Sequence, residues 1–512
     1  MSINSKFKEL KEYILHAVLI VSIMSYLYLA KGNITRFILF DADKLITPSV
    51  MRDVIRNPLE LANWQLPPAP GYFPEWIIHF FASFFFRDEF YAILSFAILQ
   101  VLAVYFLVRL IFDILGITKS GRYSLFFVFI MLLASISNPI AYSLVWASSM
   151  HFNTFTSLLF ILLLNLSHLK TGKSGKIHTS VTIIVVFLSC LSDALVFSQT
   201  IVPIFILFFI IIRKLVNNQI LFWKLLVINT IPGVLGVVLY PYFVFIEKRP
   251  NITLSFDAVI TKMENPLFFF KSLYFNDMSL LKINLIALLS ILLFLFWKFR
   301  YRKLSKLTLF FLLFIPLNFL ASILSVLIIP TLSPSPIYFI SATFLPLVGF
   351  LLICTYLLDK RIIHIAILCL GTFSVYFLIS STSFDFGKSD VVRDVACVQK
   401  SIGKDSRFGI SNYWDGKMVE ALTLQHLEIA QYQGDPAEPF SFITNFSYFE
   451  NPVDFALVWS GLTPKSLFDL SEKAVIQRFG SPLGKNTCGR WLVLLYKYIM
   501  MSADFPKDWP DN

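Results

Sequence analysis

Five carboxylates fall between positions 41 and 75: Asp41, Asp43, Asp53, Glu60 and Glu75, with Lys44, Arg52 and Arg56 interleaved. Asp41 directly follows the apolar run Phe37-Ile38-Leu39-Phe40, which sets it at a boundary between an apolar medium and water. A carboxylate beside an apolar surface is held above its ordinary pKa and serves as a general base. Asp41 is the first choice for that role, Asp43 the second, and Glu75 the third. Glu75 closes an arm running from Trp64 through Pro67-Pro68-Ala69-Pro70 to Phe73-Pro74, with Trp76 just beyond it. Taken singly, each acid reads as a solvated loop residue; the cluster with its rigid arm and two indoles reads as a site.

Two further positions carry titratable chemistry. Asp193, in Leu191-Ser192-Asp193-Ala194-Leu195, falls near the end of an apolar stretch, where an acid faces a cavity or partner, or else is a turn residue. His151, in Trp146-Ala147-Ser148-Ser149-Met150-His151-Phe152-Asn153, reads as a polar turn residue or a ligand contact. Gly-rich phosphate loops, GxSxG, HExxH and paired CxxC motifs do not occur.

The elements that must position these residues are membrane helices. Of the 512 residues 57% are hydrophobic and 15% charged, with 55 phenylalanines, whereas a soluble domain is about half apolar and a quarter charged. Stretches near the roughly 20 apolar residues that cross a bilayer fall at 13–31, 90–114, 123–142, 154–169, 178–197, 200–212, 221–246, 280–297, 307–329, 337–358 and 362–381. The first is read as a retained span, not a cleaved signal peptide. The net charge of +11 is a topology signal. Basic clusters at Lys6–Lys11, Lys119–Arg122, Lys170–Lys176, Arg213–Lys224, Lys298–Lys306 and Lys360–Arg361 recur at every second boundary. The turns near 138–154, 197–200 and 330–337 hold no Lys or Arg. The positive-inside rule then puts the N-terminus in the cytoplasm and, after about eleven crossings, the C-terminus outside. Nucleic acid is not an expected partner.

Residues 1–382 thus form a transmembrane domain with a large first outer loop at 32–89, in which 76–86 is an aromatic interfacial helix too short to span. A second outer segment, 247–279, is again rich in Phe. Residues 383–512 hold 13 basic and 16 acidic residues and alternate helix-like with strand-like stretches. Helices are expected at 390–402, 415–430 and 465–479, and strands at 407–412, 441–445, 455–459 and 490–497, a small α/β domain. Its two cysteines, Cys397 and Cys488, are either a disulfide closing the domain or two buried thiols.

Multi-span helices, an acid in a large first outer loop, interfacial helices within it and a C-terminal outer domain resemble GT-C-type glycosyltransferases. The local likeness lies in Asp41-Ala42-Asp43-Lys44-Leu45-Ile46-Thr47-Pro48-Ser49-Val50-Met51-Arg52-Asp53 and in Phe73-Pro74-Glu75. Ser335-Pro336-Ile337-Tyr338-Phe339 with Pro346 is loosely similar to an Arg-Tyr-x-x-Pro stretch of a late span in that group. The arginine is absent here, and the second outer loop lacks the acid many members carry. The resemblance implies transfer of a sugar from a polyprenyl-phosphate donor to an extracytoplasmic glycan or lipid acceptor, in a bacterial plasma (inner) membrane. It implies Asp41 as base, with Arg52, Arg56, Arg87, Lys248 and Arg249 as cations for the leaving phosphate. Asp53, Trp64, Trp76, His151, Asp193 and Tyr338 would contact substrate, and the acids would hold a divalent metal (Mg or Mn). A transporter or flippase of lipid-linked sugars, or a non-catalytic assembly protein displaying the tail, are the other readings.

Overall fold

The structure is a computed structural model. It describes residues 14, 16–23, 40–86, 88–137, 144–172, 175–209, 219–243, 255–274, 278–301, 304–330, 332–357, 388–423, 427–440, 443–460 and 469–499. Residues 14 and 16–23 are the described part of the expected first span; the eleventh, 362–381, lies outside the described residues.

Ahead of the bundle come α1 (Ile46–Arg56) and α2 (Ile77–Phe85), in the long loop that follows the expected first span. The bundle helices are α3 (Glu89–Ile114), α4 (Ser120–Ser137), α5 (Phe152–Thr171), α6 (Lys176–Ser192), α7 (Ala194–Leu207) and α8 (Gln219–Phe243). A short pair, α9 (Phe256–Met263) and α10 (Pro266–Leu273), precedes α11 (Met278–Tyr301), α12 (Lys306–Ile328) and α13 (Ile340–Leu357). Among the described residues six helices, α3, α5, α8, α11, α12 and α13, are long and apolar enough to cross a membrane, and α4, α6 and α7 are shorter apolar helices. The chain is a membrane protein by these six.

One expected boundary moves. The fifth and sixth spans were placed at 178–197 and 200–212, but the break falls at Asp193, whose backbone is extended (φ −156°, ψ 115°) between α6 and α7. The Asp193 carboxylate accepts the Leu195 N–H at 2.9 Å, an N-cap that starts a new helix at that residue. Residues Phe197–Ile201, expected as a turn, are one π-helical turn inside α7.

Polar contacts lock the bundle where apolar packing alone would leave helices free to slide. Asn165 of α5 and Asn229 of α8 exchange amide hydrogen bonds at 3.0 and 2.8 Å. A Cβ at Gly236 of α8 would meet the Phe187 carbonyl of α6 at 2.7 Å, so only glycine lets these two helices approach so closely. Lys262 of α9 donates to the carbonyls of Val326, Ile329 and Leu332, each at 2.7 Å, which fastens the α9–α10 pair over the end of α12.

The tail holds α14 (Lys388–Ile402), α15 (Tyr413–Leu422) and α16 (Glu472–Phe479) on a six-stranded sheet. The strands are β1 (Phe408–Ser411), β2 (Glu428–Gln433), β3 (Glu438–Pro439), β4 (Val453–Trp459), β5 (Gly484–Cys488) and β6 (Trp491–Ile499). Their order is β3-β2-β1-β4-β6-β5; β1 runs parallel to β2 and β4, and the other pairs are antiparallel. In β4, Phe455 and Leu457 pack with α14 and α15, while Ala456 and Val458 pack with α16, the period-two alternation of a strand covered on both faces. The helix expected at 415–430 ends at Leu422, and β2 begins at Glu428. Cys397 and Cys488 are disulfide-bonded, with Cα atoms 5.5 Å apart, joining α14 to β5.

Tail and bundle share their cores. The main apolar cluster runs from the bundle helices into α14, α15 and β4. A second cluster joins Ile46, Val50 and Trp64 of the first loop to Leu191 of α6, Tyr240 of α8 and Tyr413 and Ile443 of the tail. The tail is built onto the loop that precedes α3.

Candidate functional site

Asp41 begins the first loop's folded part. It caps the 3-10 turn Ala42–Lys44 by accepting the Asp43 N–H at 3.2 Å, and Lys44 Nζ lies 3.8 Å from its Oδ2. Burial raises its pKa, with Lys44 opposing and Asp43 adding to the rise. Its side chain remains 31% exposed, so a substrate can reach it. Asp43 points the other way, accepting the Tyr413 hydroxyl of the tail at 2.9 Å.

Glu75 is buried at 1% exposure. Gly71 puts it there: its φ is +72°, and a Cβ would collide with Glu75 Oε2, so the turn at the foot of the arm needs glycine twice over. Trp76 braces the same turn, donating from Nε1 to the Pro70 carbonyl at 2.7 Å and packing edge-on against Tyr72. Glu75 Oε2 accepts the Ser149 N–H at 3.1 Å; Oε1 has no hydrogen-bond partner among the described residues. Burial pushes the carboxyl up to about 7, against the pull of the Ser149 N–H and of His151, and Asp193 adds to the rise.

The turn that carries Ser149 is the hub. Ser148 Oγ donates to the Lys44 carbonyl at 2.7 Å, and Thr47 Oγ1 and Ser149 Oγ are hydrogen-bonded at 3.1 Å. The same turn ends in His151, at φ +59°, whose Nδ1 lies 2.5 Å from Asp193 Oδ2. Burial works to lower the imidazole pKa, but the Asp193 charge and hydrogen bond, with Glu75 behind them, carry it upward. Tyr338 packs edge-on against His151, ring centroids 5.2 Å apart. Gln199, in the π-helical turn of α7, holds Tyr338 by donating from Nε2 to its carbonyl at 2.7 Å. Asn318 of α12 donates to the Gln199 carbonyl at 2.6 Å and Ser341 of α13 to its Oε1 at 2.8 Å. Such π-turns are common where a side chain must be aimed.

Glu75, His151, Asp193 and Tyr338 therefore converge on one end of the bundle, around 148–151, and the turn that Asp41 caps is tied to the same place through the Lys44 carbonyl. Beside them, starting one turn beyond Glu75, an apolar groove of about 560 Å³ runs between α2 and α3. Ile78, Phe81, Phe85, Ile98, Leu102 and Phe106 line it. His79 pins α2 to α3 through Glu89 at 2.9 Å, leaving Phe80, Phe84 and Phe85 exposed.

Arg52, Asp53 and Trp64 stand elsewhere, in a buried network that joins α1 to the tail. Arg52 donates to Glu420 Oε1 at 2.6 Å, to the Glu420 carbonyl and to the Leu427 carbonyl at 3.2 Å. Asp53 Oδ2 accepts from Trp64 Nε1 at 3.0 Å, Asn445 Nδ2 at 3.2 Å and the Tyr448 hydroxyl at 2.5 Å. Lys417 Nζ reaches Glu420 Oε2 at 3.2 Å and lies 4.2 Å above the Trp64 ring. Burial lowers the Lys417 pKa, with Glu420 opposing. Glu60 Oε2 accepts from Asn445 at 3.1 Å at the edge of this network.

Arg56 is exposed at the end of α1. Arg87, Lys248 and Arg249 lie outside the described residues. No group of three or more His, Cys, Asp or Glu among the described residues is arranged to hold a metal ion. Sequence reasoning passed over Thr47, Ser148, Ser149, Gln199, Tyr413, Lys417, Glu420 and Tyr448 as functional positions. The Lys417–Glu420 spacing of an intrahelical ion pair was the one visible signal. The chain matches no family model, and no curated protein matches it.

Proposed function

We propose that the chain is an integral-membrane glycosyltransferase. It moves a sugar from a polyprenyl-phosphate donor to a glycan or lipid acceptor on the outer side of a plasma (inner) membrane, the basic loops lying in the cytoplasm and the tail outside. The observation that carries this reading is the meeting of Glu75, His151 and Asp193 around the 148–151 turn, which also binds the Lys44 carbonyl of the Asp41 turn, next to an apolar groove.

The roles follow from exposure and charge. The acceptor hydroxyl oxygen attacks the anomeric carbon and its proton passes to Asp41, which burial makes basic enough and 31% side-chain exposure leaves reachable. The bond from the anomeric carbon to the lipid phosphate breaks, and its electron pair leaves on the phosphate oxygen. Lys44 and His151, whose pKa the Asp193 charge raises, are the cations assigned to that developing charge. The groove between α2 and α3 takes the isoprenoid chain. Arg52, committed to Glu420, is assigned to holding the tail and not to the phosphate.

A proton-coupled transporter of lipid-linked sugars is favoured by one feature, the buried Glu75 with an unpartnered oxygen beside a His–Asp pair. A display protein is disfavoured, because the tail is fused to the first loop through buried charges.

The test is Asp41→Asn in purified, reconstituted protein, assayed for release of polyprenyl phosphate from polyprenyl-phosphate sugars. The proposal expects a loss of at least 100-fold, the usual worth of a general base, with unchanged folding. Unchanged release removes Asp41 as base, and sugar-lipid translocation without bond cleavage replaces the transferase by the transporter.

A further inference from the structure

The tail contributes more to this end of the molecule than a fastening. Tyr413, the first residue of α15, is 4% exposed, and its hydroxyl is spent on Asp43. Its neighbour Trp414 is 42% exposed, with its ring centroid 5.0 Å from that of Tyr413 at 75°. Asp43 in turn donates its N–H to Asp41. An exposed indole thus sits one ring away from the residue that touches the candidate base.

Its backbone is fixed on both sides. Asn412 caps α15 by accepting the Asp415 N–H at 2.7 Å and returns a hydrogen bond to Asp415 Oδ2 at 2.9 Å. Arg490 binds Asp415 Oδ1 at 2.8 Å. Trp414 is held between Tyr413, anchored to the first loop, and Asp415, anchored to the tail. Among the described residues of the tail, the large apolar side chains left exposed are Trp414 and Leu483. Leu483 precedes β5, at the far edge of the sheet.

An exposed indole on a fixed backbone, linked through Tyr413 and Asp43 to the half-buried Asp41 carboxylate, offers the two chemistries that a sugar ring needs. The C–H face of a pyranose stacks on an aromatic face, and its hydroxyls donate to carboxylates; a flat aromatic fixed in place binds with little loss of freedom. A membrane anchor would also use an exposed Trp. Such anchors sit in a continuous apolar surface, whereas Trp414 stands between Tyr413, which is bound to Asp43, and the Asp415–Arg490 pair.

We propose that Trp414 is a stacking platform for a sugar ring of the acceptor glycan, carried by the tail to the mouth of the Asp41 site, with Tyr413 as the positioning residue that sets it there. The proposal rests on the glycosyltransferase reading for the word acceptor, but not for the binding itself.

The experiment uses the full chain in nanodiscs on an array of defined oligosaccharides, comparing wild type with Trp414→Ala and Trp414→Tyr. Wild type should bind at least one glycan, Trp414→Ala should weaken that binding tenfold or more, and Trp414→Tyr should keep most of it. A wild type that binds no glycan, or an Ala variant that binds equally well, overturns the platform. In nanodiscs of brominated phosphatidylcholine, the difference in fluorescence between wild type and Trp414→Phe isolates this indole. Absence of quenching supports the platform, and quenching by the brominated chains makes Trp414 a membrane anchor and overturns it. None of these arms requires sugar transfer, so an active Asp41→Asn protein would sink the base assignment and leave the glycan result standing.

Discussion

Two buried clusters of charge lie on either side of α1, and they are opposite in design. At the tail junction, Arg52 and Lys417 face Asp53 and Glu420, two cations for two carboxylates, and Asp53 Oδ2 alone accepts three hydrogen bonds. At the bundle end, Glu75 is as deeply buried as Asp53 yet has a single hydrogen bond, and its pKa is pushed up to about 7. A buried carboxylate set among arginine and lysine fixes a geometry, even though Asp53 Oδ1 has only Arg52 Nε at 3.8 Å and no hydrogen bond among the described residues; one held by a single backbone N–H is poised to exchange a proton near neutral pH. The loop from 41 to 76 supplies both, so acids from one segment divide between joining the tail and standing buried with a single hydrogen bond.

The sharpest way to break the contrast is Glu420→Ala. It strands Lys417 as a buried cation and leaves half-buried Arg52 with Asp53 at 3.8 Å and backbone carbonyls, and removing one partner of a buried pair costs about 3–5 kcal/mol. Thermal unfolding of the purified protein and protease sensitivity of the tail should both show it. A change under about 1 kcal/mol would mean that water already fills the junction and that the network is not buried in solution.

How much of this was legible follows the same division. The apolar helices stood out because length and hydropathy are local properties, and the break between α6 and α7 did not, because one capping carboxylate, Asp193, sets it. The small α/β tail was visible, but the helix expected at 415–430 ran into the first half of β2. Its Glu428–Tyr432 side chains are buried on both faces, so no period-two pattern marks them. The acids of the first loop drew attention by their density alone. Which of them would meet a partner was hidden, since the Ser149 N–H comes from 74 residues away and Glu420 from 368 away. Lys417 and Glu420 are spaced as an intrahelical pair, and their joining to the first loop depends on Arg52, 368 residues from Glu420.

Glu75→Gln tests the other cluster with a smaller effect of opposite sign. A carboxyl whose folded pKa is raised from 4.5 to about 7 gives stability that is complete below pH 4.5 and is lost as pH rises through 7. The glutamine keeps the shape without that loss. Relative to wild type it should gain about 3 kcal/mol between pH 4 and pH 8, read as the difference between two melting profiles in the same detergent. Part of the change passes through His151, whose pKa Glu75 helps to raise. Parallel profiles would show that Glu75 is solvated and ionised throughout, and the difference between the clusters would vanish.

The finest test compares two arginines one turn apart on α1. Arg52 is bound into the junction, and Arg56 is exposed in the last turn. If burial and partnership decide what a charge is for, Arg56→Ala should change stability by no more than about 0.5 kcal/mol, the loss of a helix-end dipole contact at the surface. Donor release should stay at the wild-type rate, since Lys44 and His151 are the cations at the Asp41 end. A raised KM for the polyprenyl-phosphate donor at unchanged stability would show the contrary: an exposed arginine of the loop would reach the phosphate, and the side of α1 facing water would belong to the site.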